Sequence, residues 1–336
     1  ISAAHINAWN SMDDVNLVAM CDIRPERMDQ YSNVNKYTSF EDMMANEKLD
    51  ILDICLPTFL HVEYSIKAMD MGINVLCEKP LAQSREDIEA IVKASEKSDR
   101  KFMTGQVCRK APGFVKAKEL VEAGAIGDLF FVESEYAHDY QFMTPEWRKD
   151  PVKLRYPVIG GGCHAVDLAC WIAGKPTEVM AYSNKKMLEH WPTDDCTIAI
   201  MKFPNDVIGK VFVSTGCKRN YTMRTLLYGT KGNLWVPDPN CFGNQGGPKF
   251  TNDKGEETDL ELCFDYSENS RCLGLNDLAA AIEQGRPPRT SYRQTYHVLE
   301  VMTGIMKSCE TGIPYEMTSK FNREAPMDPT LPHGCL

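Results

Sequence analysis

The first hundred residues alternate short apolar runs with amphipathic helical ones, and few patterns restrict a fold as strongly. VNLVAMCD (15–22) and LDILDICLP (49–57) are brief, branched and apolar, as strands buried on both faces must be. HVEYSIKAMDMG (61–72) has helical spacing and closes on a glycine, and INVLCEKP (73–80) is the next apolar run. SREDIEAIVKASEKSD (84–99) opens on a serine able to cap and carries acids in its first turn, before KFMTGQV (101–107) supplies another strand. Strand and helix in regular succession, with short connections, predict a doubly wound parallel sheet with right-handed crossovers.

After about residue 125 the pattern changes. Runs at 129–140, 177–186, 196–205, 207–216 and 222–236 read as strands, several joined by hairpin-like turns, and predict a large, mostly antiparallel sheet. The stretch from Pro237 to Glu257 is rich in Gly, Pro, Asn and Asp without periodicity and reads as a long excursion or mobile loop. Helical patterns at 275–285 and 291–312 close the chain. At 336 residues the chain exceeds one hydrophobic core, so we divide it into an α/β unit at 1–107 and a second α/β unit at 108–336.

A net charge of −10 disfavours a nucleic-acid footprint, which needs clustered Lys and Arg. No apolar run approaches the roughly 20 residues that cross a bilayer, and the opening lacks a secretory pattern, so the expected location is the cytoplasm. The 13 cysteines include no C-x-x-C pair, and several lie within apolar runs, as buried thiols in a reducing compartment would. The nearest zinc-like grouping, Cys163 and His164 with Cys170, has adjacent ligands that rarely share one metal, so no metal is expected.

In doubly wound folds ligands lie across the carboxyl ends of the strands. Asp22 ends the first run, where a carboxylate either accepts hydrogen bonds from the adenosine ribose of NAD or caps a turn, and Arg24 keeps NADP open. Leu56, Pro57 and Thr58 end the second, followed by His61, which either lines the groove or lies on the surface. Glu78, Lys79 and Pro80 end the third, where an ammonium can steady developing alkoxide charge and help move a proton. Further on, Gly160-Gly161-Gly162-Cys163-His164 opens a helical pattern. The glycines allow close approach of backbone or ligand, and His164 would stand near a helix N-terminus as a general base. Asp167, three residues later, either orients the imidazole or serves as a cap or core hydrogen-bonding group.

Together LVAMCDIRPER, DICLPTFLH, NVLCEKPLA, GGGCHAVDLACWIAG and LLYGTKGNL resemble the Gfo/Idh/MocA family of oxidoreductases, with E-K-P followed by G-C-H-x-x-D as the specific landmark. The resemblance implies an N-terminal Rossmann domain holding NAD or NADP. It also implies a C-terminal α/β domain with an open sheet that packs against other subunits of a homo-oligomer. The implied substrates are small sugars, inositols and related polyols, and catalysis falls to Lys79 with His164. Gln106, Arg109, Trp147 and Arg148 would lie around the cleft as substrate contacts. The family's glycine-rich phosphate loop would lead into the helix that opens at ISAAHINAW, so roughly 10 to 15 residues, a strand plus that turn, are expected to be absent from the chain as given. Many members carry an Asp four residues before the motif histidine, and that position here is Gly160.

The leading expectation is hydride transfer at a secondary alcohol of a sugar, glycoside or cyclitol. Two alternatives stay open: glycoside cleavage by oxidation and elimination with NAD regenerated, and a non-catalytic cofactor-binding regulator, which Gly160 in place of an acid keeps in view.

Overall fold

The computed structural model describes residues 1–142, 146–148, 150, 153, 156–237, 247–262 and 274–319, and all structural statements refer to these. The chain begins with helix α1 (Ser2–Asn10), then β1 (Ala19–Cys21), β2 (Asn35–Tyr37) and α2 (Phe40–Asn46). It continues through β3 (Ile51–Ile54), α3 (His61–Asp70), β4 (Asn74–Cys77), α4 (Arg85–Lys97) and β5 (Phe102–Thr104). All pairings here are parallel: β1 with β2, and β4 between β3 and β5. Strand β4 is buried along its whole length, which is why its sequence is a continuous apolar run rather than an alternating one. Ser84 caps α4 by accepting from the Asp87 backbone N–H at 3.1 Å, as the sequence predicts. Ser39 caps α2 in the same way, a helix too short and polar for its periodicity to register.

The second unit starts with α5 (Pro112–Glu122), β6 (Leu129–Ala137), α6 (Pro157–Gly160) and α7 (Cys163–Ala173). It adds β7 (Glu178–Asn184), β8 (Cys196–Lys202), β9 (Ile208–Ser214), β10 (Thr222–Gly229), β11 (Gly232–Val236), β12 (Lys249–Asn252) and β13 (Glu257–Asp259). Helices α8 (Leu275–Glu283) and α9 (Tyr292–Thr311) and the short β14 (Tyr315–Glu316) follow. Nine strands form one sheet in the order β13-β12-β11-β10-β6-β9-β8-β7-β14. Every pair is antiparallel except β6 with β9. The unstructured excursion expected over 237–257 is corrected here: β12 and β13 form a hairpin that extends the sheet edge, while 238–246 lie outside the described residues. β13 is exposed throughout, so no buried face left an alternating pattern to read.

One face of this sheet is covered by α7, which packs on β6, β9 and β10, and by α9, which packs on β7 and also on α4 of the first unit. Helix α8 returns to the first unit, where Leu275 and Leu278 join Ala8, Trp9, Leu76 and Met103 in a small core. The other face carries a band of neighbouring side chains: Tyr182 opposite Ile198, Ile198 opposite Phe212, and Leu226 opposite Trp235. Tyr182, Ile198, Ile200 and Ile208 are exposed there. Among the described residues no helix is long and apolar enough to cross a membrane.

Candidate active site

The turn after β4 is held from both sides. Glu78 is buried, and its carboxylate accepts the Lys79 backbone N–H at 3.0 Å and the His5 Nε2–H at 3.2 Å. A Cβ on Gly105, just past β5, would stand 3.0 Å from Glu78 Oε1, so the glycine makes room for that carboxylate. His5 Nδ1 lies 2.8 Å from Asp53 Oδ2, which also accepts from Trp9 Nε1 at 2.7 Å. Burial opposes charge on His5, but hydrogen bonds to Asp53, Cys55 and Glu78 prevail and raise its pKa to about 12. His5, Asp53 and Cys55 bring three potential metal-ligating atoms within 4.8 Å, yet an imidazolium between two carboxylates accounts for the arrangement as an ion-pair network. Burial also acts against the Glu78 anion, and His5, Lys79 and His61 overcome it, lowering its pKa.

The peptide between Lys79 and Pro80 is cis. His61 Nδ1 meets Pro80 O at 2.8 Å and Nε2 meets Leu56 O at 2.7 Å, so this buried ring ties the Lys79 turn to the exit of β3. The reading of His61 as a surface residue is corrected: the ring is buried and held by two backbone carbonyls. Leu56 and Pro57 are half-buried and Thr58 is buried at that exit. Phe59, beside them, packs edge-on against Trp147 with ring centroids 6.2 Å apart, and the Arg148 guanidinium lies 5.4 Å from the Trp147 ring centre. Asp22, just beyond β1, accepts the Arg24 backbone N–H at 2.9 Å, with the Arg27 guanidinium at 3.7 Å and Arg24 itself exposed.

In the second unit the glycine run is filled by protein rather than by ligand. A Cβ on Gly161 would come within 2.2 Å of the Tyr136 ring, and one on Gly162 within 2.6 Å of Val158 O and 2.7 Å of Val213. His164, in the first turn of α7, is buried, and its Nδ1 lies 3.3 Å from Cys108 Sγ. Asp167 instead binds Arg109 through two hydrogen bonds of 2.8 and 2.6 Å, and Arg109 also lies 5.7 Å from the Trp171 ring centre. Two expectations are thereby corrected. Asp167 meets Arg109 rather than the His164 ring, and Arg109, only 7% exposed, is taken up in a buried bidentate pair rather than turned toward substrate.

Sequence reading missed His138, immediately after β6. Its Nδ1 lies 3.2 Å from Tyr136 Oη, which is 3.1 Å from Tyr140 Oη, and its ring meets Tyr221 edge-on at 4.6 Å. Burial first, then the positive charges of Arg148 and Lys79, lower the His138 pKa against the opposing effect of Asp139. Lys79 from the first unit and Arg148 from the second thus both bear electrostatically on His138. The signal available in sequence was position, since His138 is also the first residue past a strand end.

Buried Gln106 follows β5 at the same sheet edge, and its Oε1 has no hydrogen-bond partner among the described residues. An orphaned buried acceptor at the carboxyl edge of a parallel sheet fits a ligand N–H or O–H, as a nicotinamide carboxamide or a substrate hydroxyl would provide. With a strand-exit acid at Asp22 and a strand-exit lysine at Lys79, the arrangement is that of an NAD(P)-dependent oxidoreductase built on a Rossmann domain. Residues 1–106 match the model of the oxidoreductase family with an NAD-binding Rossmann fold, and 114–235 match the GFO/IDH/MocA C-terminal domain. The chain belongs to the Gfo/Idh/MocA family of oxidoreductases. It is 27% identical over 297 residues to D-xylose 1-dehydrogenase (NADP(+)) 2 of Haloferax volcanii, covering 84% of each chain. Myo-inositol 2-dehydrogenase of Thermotoga maritima is 24% identical over 308 residues, 87% of this chain and 88% of that one. A solved levoglucosan dehydrogenase, in complex with NADH and L-sorbose, shares the fold with a TM-score of 0.85 at 18% identity, over 95% of this chain and 96% of that one.

Proposed function

We propose that this enzyme transfers hydride between nicotinamide and a secondary alcohol of a sugar, glycoside or cyclitol, in either direction. The observation that carries the reading is that Lys79 and Arg148 both bear electrostatically on His138, while Gln106, at the exit of β5, keeps a buried oxygen with no partner among the described residues. These side chains offer the hydrogen-bonding groups that a compact, many-hydroxylated molecule requires. The naming of relatives as xylose and inositol dehydrogenases supports it.

Bound nicotinamide supplies the hydride acceptor or donor. Lys79 donates a hydrogen bond to the reacting oxygen and steadies its developing negative charge, with the ammonium held by the fixed backbone of the Glu78-Lys79-Pro80 turn. His164 takes the hydroxyl proton, while Trp147, Arg148, Gln106 and His138 orient the ring and its remaining hydroxyls. Asp22 binds the adenosine ribose and favours NAD, with Leu56, Pro57, Thr58 and Glu78 shaping the cofactor groove. The exposed apolar band on the nine-stranded sheet serves as the face through which copies of the chain assemble, since a patch of this kind marks an interaction surface.

The test is a screen of aldoses, methyl glycosides and inositols for reduction of added NAD, with Lys79→Ala as control. A substrate is expected, and Lys79→Ala should bind cofactor normally while kcat falls about a hundredfold or more. If the variant turned over its substrate at the wild-type rate, Lys79 would have no place in the mechanism.

A further inference from the structure

The Lys79 turn is fastened on both sides, and one fastening begins at a residue that the proposed reaction leaves unused. His5, in the first turn of α1, is buried, with Nδ1 2.8 Å from Asp53 Oδ2 and Nε2 3.2 Å from Glu78 Oε1. Each carboxylate accepts a second N–H as well. Asp53 takes that of Trp9 Nε1 at 2.7 Å, and Glu78, through Oε2, that of the Lys79 backbone at 3.0 Å. Cys55, the third titratable group beside the ring, donates its thiol to Asp53 Oδ1 at 3.6 Å. A carboxylate that receives several N–H bonds is held ionised and can only accept, so both ring contacts require a proton on the nitrogen. His5 is thus a buried imidazolium, and Glu78 is the link through which it reaches the Lys79 backbone.

We propose that His5 is a positioning residue: through the Glu78 carboxylate it fixes the Lys79 backbone, and with it the place where the Lys79 ammonium meets the reacting oxygen. The inference rests on Lys79 acting at that oxygen, as proposed above. A Glu side chain folded back onto the next backbone N–H gives up rotamer freedom, and needs something to hold it there. Here the hold is the His5 ring, with Gly105 leaving the room. Helix α1 is itself anchored, since Ala8 and Trp9 pack in the small core with Leu275 and Leu278 of α8. On the far side of the turn, His61 Nδ1 holds Pro80 O at 2.8 Å. With the His5 side released, the ammonium loses its place, and a misplacement of about 1 Å is enough to slow the reaction without weakening binding.

The experiment compares His5→Gln, which has no charge and can serve only one of the two acids, in two backgrounds. On the substrate found by the screen, kcat should fall about tenfold, with KM for substrate and for NAD changed less than about twofold. Added to Lys79→Ala, the same substitution should cost nothing further, because the group through which it acts is gone. An equal fall in both backgrounds, as lost stability or lost cofactor would give, would overturn the proposal, as would an unchanged kcat in the otherwise wild-type chain. Two readouts need no substrate. In protein labelled with ¹⁵N-lysine, the Lys79 amide, assigned by its absence from Lys79→Ala, should exchange with solvent about tenfold faster in His5→Gln than in wild type. In protein labelled with ¹⁵N-histidine, the ring missing from His5→Gln should carry protons on both nitrogens at pH 7. Equal exchange rates, or a wild-type His5 ring with one bare nitrogen, would sink the link. His5→Asn serves in the same comparisons if His5→Gln does not fold. If Lys79→Ala keeps the wild-type rate, the role of Lys79 fails and this proposal with it; if Lys79→Ala is slow and His5→Gln is not, this proposal alone fails.

Discussion

Asp167→Asn separates a structural carboxylate from a catalytic one. The Asp167 side chain is 1% exposed and that of Arg109 6%, and two short hydrogen bonds join them in a fork that a neutral amide cannot match. Removing the negative charge leaves a guanidinium buried without its counter-charge, which costs about 3–5 kcal/mol. Against a usual total of about 5–15 kcal/mol, that is a large fraction of the stability of the fold. Arg109→Met should lose a similar amount by stranding the carboxylate. The double variant Arg109→Met with Asp167→Leu should recover most of the loss, because well-packed apolar replacements of a buried pair are often neutral. Guanidinium unfolding followed by both circular dichroism and tryptophan fluorescence measures this, with coincident transitions as the check on two-state behaviour. If Asp167→Asn kept the wild-type midpoint while losing turnover at a temperature where it is fully folded, the carboxylate would be acting on the chemistry and the pairing argument would fail.

His5 gives a stability that depends on pH. Its folded pKa is raised from 6.5 to about 12, so the stabilisation is complete below about pH 6.5 and is lost as pH rises toward 12; above pH 7, wild-type stability should fall relative to His5→Gln by about 1 kcal/mol per pH unit, and parallel curves for the two proteins would refute it. Asp22→Ala should weaken NAD binding about tenfold, since hydrogen bonds to a charged group contribute about 1.5–3 kcal/mol, and should narrow the preference over NADP; tighter binding of NADP than NAD by the wild type, in fluorescence titration, would contradict the ribose assignment. Ile200→Glu on the open sheet face should lower the assembled mass seen by light scattering while leaving the circular dichroism unchanged, and an unaltered mass would exclude that face as the contact.

What could be read in the sequence follows from burial. Strands β3 and β4 are covered by neighbours on both sides or by helices, so they show as compact apolar runs, and β7 to β10 alternate because one face is packed and the other open. Strand β2 is Asn35–Tyr37, with two of its three residues exposed, and β13 is exposed throughout, so both have pairing but no hydrophobic pattern. In the proposed site, the rule that ligands gather at strand exits is what singles out Asp22 and Lys79. It missed His138 because the apolar pattern was carried past Ala137 to Tyr140, and strand ends are the least legible part of a strand. His5 was beyond reach for another reason: its partners Asp53 and Glu78 are 48 and 73 residues away, and nothing local marks a helical histidine as one that will be buried between two acids.

The pairing of Asp167 is the most instructive of the differences. From sequence, its spacing from His164 on one helix makes the imidazole a natural partner, and Arg109 a separate residue turned to substrate. Spacing shows what can be reached, not which partner wins. Once β5 and α7 bring Arg109 within range, a buried carboxylate has a choice between a ring N–H and a guanidinium fork carrying full opposite charge. The ring offers one N–H, whereas the fork supplies two parallel bonds together with a full opposite charge, so the carboxylate goes to Arg109. The His164 ring lies instead against the residue beside that arginine, Cys108, in the same short segment after β5.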